Sequence, residues 1–121
     1  MSVAPIYFVV HGQPVSVNRC YRRARNGRMF MSKEGVDWKA RVAAAALRAM
    51  GGKPSLEGPL VVRMAFFFQS RRSDIDGPLK PTMDALQPSV MKNDLQVVEV
   101  HLAKGLDKEL PRVEIQVEIA S

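Results

Sequence analysis

Hydrophobic residues fall along the chain in runs and alternations whose lengths are typical of β-strands. The apolar segment IYFVVHG at residues 6–12 is rich in β-branched and aromatic residues and predicts a first strand. The continuous apolar run LVVRMAFFFQS at residues 60–70 predicts a buried strand. Residues 94–105 and 112–120 predict two more strands, and in the last of these one face is apolar, at Val113, Ile115, Val117 and Ile119.

Between these strands, the pattern predicts two helices and a hairpin. Ser32 is a typical helix N-cap, and Gly51-Gly52 is a stop signal; between them an apolar stripe recurs at helical spacing, at Val36, Ala40, Ala43, Leu47 and Met50. Residues 77–86 predict a short second helix, although Pro81 disfavours the α conformation at the residue before it. In residues 20–31, Asn26-Gly27 predicts a tight turn between two short arms.

The predicted order is strand, hairpin, helix, strand, helix, strand, strand. That order is typical of an α+β fold, here a mixed β-sheet with two main helices packed on it. A chain of 121 residues, 46% hydrophobic and 25% charged, suits one small globular domain over residues 1–121. No apolar run approaches a membrane span, and the apolar N-terminus has no basic region of the kind that begins a signal peptide, so we expect a cytoplasmic protein.

Cysteine and histidine offer little chemistry in this chain. Cys20 is the single cysteine, so it has no partner for an intrachain disulfide, and we assign it as a small buried hydrophobe. Together with His11 and His101 it does not supply the four ligands of a structural zinc site.

Positive charge is concentrated in one part of the chain. The net charge is +6, and residues 19–48 carry nine Lys/Arg against two acids, whereas residues 84–121 carry four against seven. Such asymmetry favours a polyanionic partner, most often nucleic acid, over the alternative of a solvated surface with no partner. Five arginines lie on the predicted hairpin and its approach, at Arg19, Arg22, Arg23, Arg25 and Arg28.

Negative charge gathers at one point within this basic chain. Asp74 and Asp76 flank an isoleucine, and Asp94 follows just before a predicted strand. If the strand that begins at residue 60 continues to Asp76, alternation places Asp74 and Asp76 on one face, where a hard divalent cation such as Mg²⁺ would relieve their repulsion. Lys80 lies one helical turn beyond Asp76 and is close enough in sequence to reach the same point.

A divalent cation held by carboxylates beside a lysine suits phosphodiester hydrolysis, because both stabilise the charge that develops on the phosphate. Structural alternatives remain open: Asp76 as a cap of the second helix, and Asp74 as an ion-pair partner of Arg71 or Arg72. Asp84 and Asp107 are interpreted as ordinary surface charges. We assign the remaining apolar candidates to the core rather than to a base-stacking surface; these are Met29, Met31, Met64 and Phe66–Phe68. Three consecutive strand residues cannot all face one side, so one phenylalanine of the run could be exposed and act as a wedge into DNA.

Three segments resemble the RusA-type Holliday-junction resolvases. SRRSDIDGPLKPTMDAL is similar to the R-x-D-x-D-N-x-x-K-P-x-x-D-A-L stretch of that family, and KNDLQVVEVHLAK is similar to its D-D-x-Q-V-x-E-x-x-x-x-K stretch. PVSVNRCYR is similar to the proline, asparagine and aromatic residues near the family's N-terminus. Gly77 stands where the family has asparagine, and Asn93 stands where it has the first acid of a pair.

The resemblance implies a homodimer that binds a four-way DNA junction and nicks two opposing strands in recombination and repair. It implies metal binding by Asp74, Asp76 and Asp94, catalysis by these acids with Lys80, and Mg²⁺ as the cofactor, with Mn²⁺ as a substitute. Arg71 and Arg72 join the hairpin arginines as DNA contacts, and the family's distribution points to a phage or prophage. Two alternatives remain open: a nuclease acting on flaps, other branches or RNA hybrids, and a DNA-binding protein of this fold without turnover.

Overall fold

A mixed sheet, two helices on one of its faces and a separate hairpin make up the fold in the computed structural model, which describes residues 4–121. Residues 1–3, part of the segment considered above as a signal peptide, lie outside the described residues. In chain order the elements are β1 (Ile6–His11), α1 (Val17–Cys20), β2 (Tyr21–Arg23), β3 (Met29–Met31), α2 (Lys33–Met50), β4 (Leu60–Phe68), α3 (Leu79–Asp84), a 3₁₀ turn (Asp94–Gln96), β5 (Val97–Leu106) and β6 (Arg112–Ile119).

The sheet has the strand order β1-β6-β4-β5, so the α+β prediction is confirmed. β6 is antiparallel to both β1 and β4, whereas β5 runs parallel to β4 and forms one edge of the sheet. In β4, alternate residues from Leu60 to Phe68 are buried on the inner face. In β6 the predicted alternation holds at Val113, Ile115 and Val117, but Ile119 at the strand end is 38% exposed.

The inner face of the sheet packs against α2, although not through the predicted stripe. Of that stripe only Met50 is buried, and Val36 and Leu47 are 50% and 64% exposed. The buried side of the helix is instead formed by Trp38, Val42, Ala45, Ala46 and Met50. Four consecutive alanines make the middle of α2 apolar on every side, so the spacing of apolar residues does not select the buried face. The face with Trp38 and Val42 is buried because these side chains remove more apolar area from water than alanines do.

The predicted caps of α2 are confirmed. The Ser32 hydroxyl accepts a hydrogen bond from the Gly35 N–H at 3.1 Å, and Gly51 ends the helix in the left-handed conformation at φ 58°. Ser32 also donates its hydroxyl to the carbonyl of Arg19, and its own N–H donates to the carbonyl of Cys20 at 2.7 Å. The start of α2 is thereby fixed to α1, a single helical turn.

The hairpin prediction is confirmed, whereas the expected wedge in the phenylalanine run is wrong. β2 and β3 pair in antiparallel register, with Gly27 at φ 85° in the turn between them. In β4, Phe66 and Phe68 are buried, and the ring of Phe67 lies 4.0 Å beneath the guanidinium of Arg112, so it is covered by a cation–π contact.

None of the helices within residues 4–121 is long and apolar enough to cross a membrane.

Candidate active site

The two aspartates of the DID segment lie in a turn that follows β4. The strand ends at Phe68, so the expected extension of alternation as far as Asp76 is wrong. The Asp74 carbonyl accepts from the N–H of Gly77 at 3.3 Å, and the Asp76 carbonyl accepts from the N–H of Leu79 at 3.1 Å. These bonds leave both carboxylates free, on exposed residues at the entry to α3.

Gly77 brings this turn against α1. Its carbonyl accepts a hydrogen bond from the N–H of Val17 at 2.7 Å, and a Cβ at position 77 would lie 3.1 Å from the Cβ of Ser16. A side chain at this position would therefore require Ser16 to shift. Glycine in place of the family's asparagine allows α1 to pack closely beside the aspartates.

Lys80 lies between two acids. Its Nζ donates to Asp84 Oδ1 at 2.9 Å and lies 3.8 Å from Asp94 Oδ2. The hydrogen bond that Lys80 donates to Asp84 raises the pKa of Lys80, with further contributions from the charges of Asp84 and Asp94 and from Tyr21. Lys80 therefore stays an ammonium at neutral pH and acts as a fixed positive charge rather than as a base.

Asp84, which the sequence pattern had assigned to the ordinary surface, is the closest ion-pair partner of Lys80 in the described residues. The signal was present, because Lys80 and Asp84 have the i,i+4 spacing of neighbouring positions on a helix. Asp107 is a surface charge, as assigned: its carboxylate accepts from the backbone N–H of Leu110 at 3.0 Å and from Arg112 at 2.9 Å, which lowers its pKa.

Asp94 begins the 3₁₀ turn that leads into β5. Asn93 caps this turn by accepting a hydrogen bond from the N–H of Leu95 at 2.8 Å. Gln96 accepts in return from the N–H of Asn93 at 3.2 Å and donates to the carbonyls of Leu56 and Gly58. Asn93 thus holds the turn that presents Asp94. Asparagine and aspartate cap such a turn equally well.

Asp76, Lys80 and Asp94 line one surface depression of about 370 Å³, whose apolar part is formed by Leu79, Met83, Val97 and Val100. Asp74 lines a neighbouring cleft together with Arg19 and Arg72. Within residues 4–121, no three acidic, histidine or cysteine side chains stand close enough together to hold a metal ion. The structure therefore brings Asp76 and Asp94 to one depression and places Asp74 beside it.

The two structural alternatives for the acids find no support in this geometry. The residue that caps α3 is Pro78, and no side chain bonds to the helix start, so Asp76 is not the cap. In the described part of the chain, no basic side chain lies within 4.0 Å of a carboxylate oxygen of Asp74 or Asp76, which excludes the ion pair with Arg71 or Arg72.

Basic residues lie on the two segments that meet at Gly77, the turn after β4 and the segment of α1 and the hairpin. Arg71 and Arg72 are exposed in the turn before Asp74, and the carbonyl of Arg71 accepts from Lys104 at 3.0 Å. On the hairpin, Arg22, Arg23, Arg25 and Arg28 are exposed, whereas Arg19 on α1 lies 3.9 Å from Glu34.

Comparison with known proteins gives the family. The model of the endodeoxyribonuclease RusA family matches residues 11–118. This chain belongs to the RusA family. A crossover junction endodeoxyribonuclease RusA of Aquifex aeolicus (strain VF5) is 31% identical over 97 residues, which cover 78% of this chain and 76% of that protein. The resemblance is confirmed, and so is the prediction of an endodeoxyribonuclease enzyme class.

The ligand type of the candidate donors in this RusA-family chain suits a hard divalent cation, whereas their positions in the described residues do not form a three-carboxylate site. All three candidate ligands are carboxylates, the ligand type that Mg²⁺ and Mn²⁺ prefer, and Mg²⁺ sites commonly use one or two carboxylates. In the described residues, Asp74 and Asp76 form no ion pair within 4.0 Å, and Asp94 Oδ2 lies 3.8 Å from Lys80 Nζ. Cys20 is buried, in agreement with its assignment as a small hydrophobe, and this burial raises the pKa of its thiol.

Proposed function

We propose that this protein is a Mg²⁺-dependent endonuclease that resolves four-way DNA junctions by paired, symmetric nicks in recombination and repair. One observation carries the proposal: Lys80 lines one depression together with Asp76 and Asp94, and the neighbouring cleft of Asp74 is lined by Arg19 and Arg72. The name of the Aquifex relative, which refers to crossover junctions, supports the choice of substrate.

Asp76 and Asp94 would hold the cation in the depression, with Asp74 approaching from the neighbouring cleft. The bound Mg²⁺, for which Mn²⁺ can substitute, would supply Lewis-acid activation of the phosphodiester and of the attacking water. Lys80 would donate a hydrogen bond to a phosphate oxygen and stabilise the negative charge that grows on it. Asp84 would orient Lys80, because it holds the ammonium in the absence of DNA.

The basic side chains would supply the affinity for DNA. When arginines bind DNA phosphates, the cations condensed on the DNA are released, so binding should weaken steeply as salt concentration rises. The residues proposed for phosphate contact are Arg19, Arg22, Arg23, Arg25, Arg28, Arg71 and Arg72.

We further propose that the protein acts as a homodimer in the cytoplasm and that residues 1–121 form one nuclease domain. A four-way junction has two symmetric scissile phosphates, and a twofold dimer presents two identical sites to them. Exposed apolar residues beside the depression suit a contact between copies: Leu95 is 85% exposed, and Val98 and Val100 on the edge strand β5 are 64% and 39% exposed.

Cleavage of three labelled DNA substrates tests the substrate assignment. A four-way junction, a flap and a linear duplex of matched sequence are incubated with the protein in Mg²⁺ and in Mn²⁺, and the nicks are mapped. We expect paired nicks at symmetry-related positions of the junction. A faster reaction on the flap would assign the protein to other branched DNA, and binding to the junction with no nick in either metal would make it a binding protein of this fold.

A further inference from the structure

The hairpin formed by β2 and β3 carries two large apolar side chains that the described residues leave more than half exposed. Met29 is 58% exposed and Phe30 is 51% exposed, so the assignment of Met29 to the core is wrong. Phe30 is paired with Arg22 across the hairpin, and Met29 is paired with Arg23. Because successive residues of a strand point to opposite faces, each face of the hairpin presents one apolar side chain beside one arginine.

This arrangement is unusual for a hairpin that only serves the fold. A two-stranded hairpin is marginally stable in water, and its large apolar residues normally pack against a second layer. Here the turn is completed by backbone bonds, from Ala24 N–H to the Arg28 carbonyl at 2.8 Å and from Gly27 N–H to the Ala24 carbonyl at 2.9 Å. The hairpin is thus built without burial of Met29 or Phe30, which leaves both side chains available to a partner.

The hairpin begins at the candidate active site. Tyr21, its first residue, directly follows α1, and Arg19 of α1 lines the same cleft as Asp74. α1, which precedes it, is hydrogen-bonded to Gly77 in the turn that carries the aspartates. Three strand residues at about 3.3 Å each place the tip about 10 Å from Tyr21. DNA whose phosphate reaches Lys80 would therefore meet the hairpin a few nucleotides away.

We propose that Phe30, with Met29, stacks on base faces that are exposed at the branch point of the DNA, while the neighbouring arginines contact the flanking phosphates. Aromatic and apolar side chains gain stacking contacts where bases are unstacked, whereas a continuous duplex hides its base faces. The hairpin therefore contributes selectivity for branched DNA, in addition to charge. This inference rests on the proposed function for the identity of the DNA, and it does not depend on hydrolysis.

The test measures base unstacking and affinity in EDTA, so that no strand is cut. A four-way junction carries 2-aminopurine either at the branch point or within one arm, and wild type is compared with Phe30→Ala and Phe30→Tyr. Tyr7→Ala is the matched control, because Tyr7 is an aromatic residue of similar exposure, 58%, on the outer surface of the sheet. Size-exclusion chromatography gives the oligomeric state of each variant.

We expect wild type, Phe30→Tyr and Tyr7→Ala to change the fluorescence at the branch point but not within the arm. Phe30→Ala should lose this change and bind the junction about 10-fold more weakly, with its affinity for linear duplex unchanged. An unchanged signal in Phe30→Ala, or an equal loss of affinity for junction and duplex, would overturn the inference. A shift of oligomeric state in Phe30→Ala would overturn it too, and would assign the hairpin to contact between copies.

The outcomes separate this inference from the proposed function. If wild type never nicks a junction in Mg²⁺ or Mn²⁺ but its branch-point signal depends on Phe30, the stacking contact stands and the hydrolysis does not. If wild type nicks junctions and the signal is independent of Phe30, the reverse holds.

Discussion

Replacing Thr82 by valine should destabilise the protein through one buried hydrogen bond. Thr82 is fully buried in α3, and its Oγ1 accepts from the indole Nε1 of Trp38 in α2 at 3.0 Å. Valine has nearly the same shape, so little packing changes, but the indole N–H, on a residue that is 3% exposed, is left without an acceptor. An unsatisfied buried donor costs about 1–3 kcal/mol, and we expect a loss of about 2 kcal/mol.

Urea unfolding followed by tryptophan fluorescence measures this loss. With a slope of about 2 kcal/mol per molar, the midpoint should fall by about 1 M. Thr82→Ser is the matched control, because it keeps the hydroxyl and removes one methyl group, at a cost of about 1 kcal/mol. If Thr82→Val is as stable as wild type, or more stable than Thr82→Ser, the hydrogen bond between α2 and α3 does not stabilise the fold.

Two further predictions concern the packing of α2 and the charge of Lys80. Gly35→Ala would gain about 1 kcal/mol of stability from helix propensity, but its new Cβ would lie 2.7 Å from the Cys20 carbonyl oxygen. We therefore expect a net loss of about 1–2 kcal/mol in the free energy of unfolding, measured with urea. A gain in stability would show that α1 moves away to accommodate the methyl group. Asp84→Asn removes the group that raises the pKa of Lys80, so the alkaline limb of the pH–rate profile should move to lower pH; an unmoved limb would mean that Lys80 does not carry the charge used in cleavage. The same pair stabilises the fold below the ordinary lysine pKa and loses that effect as pH rises through the raised value, so pH-dependent unfolding of Asp84→Asn should lack this alkaline loss.

The sequence predicts the elements of this fold well where residue types and spacing agree. The alternation in β6 and the cap at Ser32 each specify one local conformation, and the structure has both. The buried face of α2 was not predictable in this way, because alanines surround its middle and the choice depends on how Trp38 fits against the sheet. The same limit applies to Met29 and Phe30, since strand spacing does not tell whether a second layer will cover a hairpin.

The candidate site was predictable as a set of residues but not as an arrangement. Asp74, Asp76, Asp94 and Lys80 stand out by charge and by family resemblance. Their positions depend on the turn after β4. The course of that turn is set by the contact between Gly77 and α1, by a hydrogen bond that Lys104 donates to the Arg71 carbonyl, and by one that the Gln69 N–H donates to the side chain of Gln13. Bonds between residues this far apart in the chain leave no periodic signal. Asp84 was recoverable from helical spacing alone.

Cleavage of a labelled four-way junction by Asp76→Asn tests the central claim most directly. Nicking in Mg²⁺ is compared with wild type and with Asp37→Asn, which removes an exposed carboxylate from α2 instead, and junction binding by each protein is measured in EDTA. We expect Asp76→Asn to bind as tightly as wild type with no detectable nicks, while Asp37→Asn cuts normally. Cleavage by Asp76→Asn at the wild-type rate would contradict the assignment of Asp76 to the metal site, and loss of binding together with cleavage would make Asp76 a structural residue.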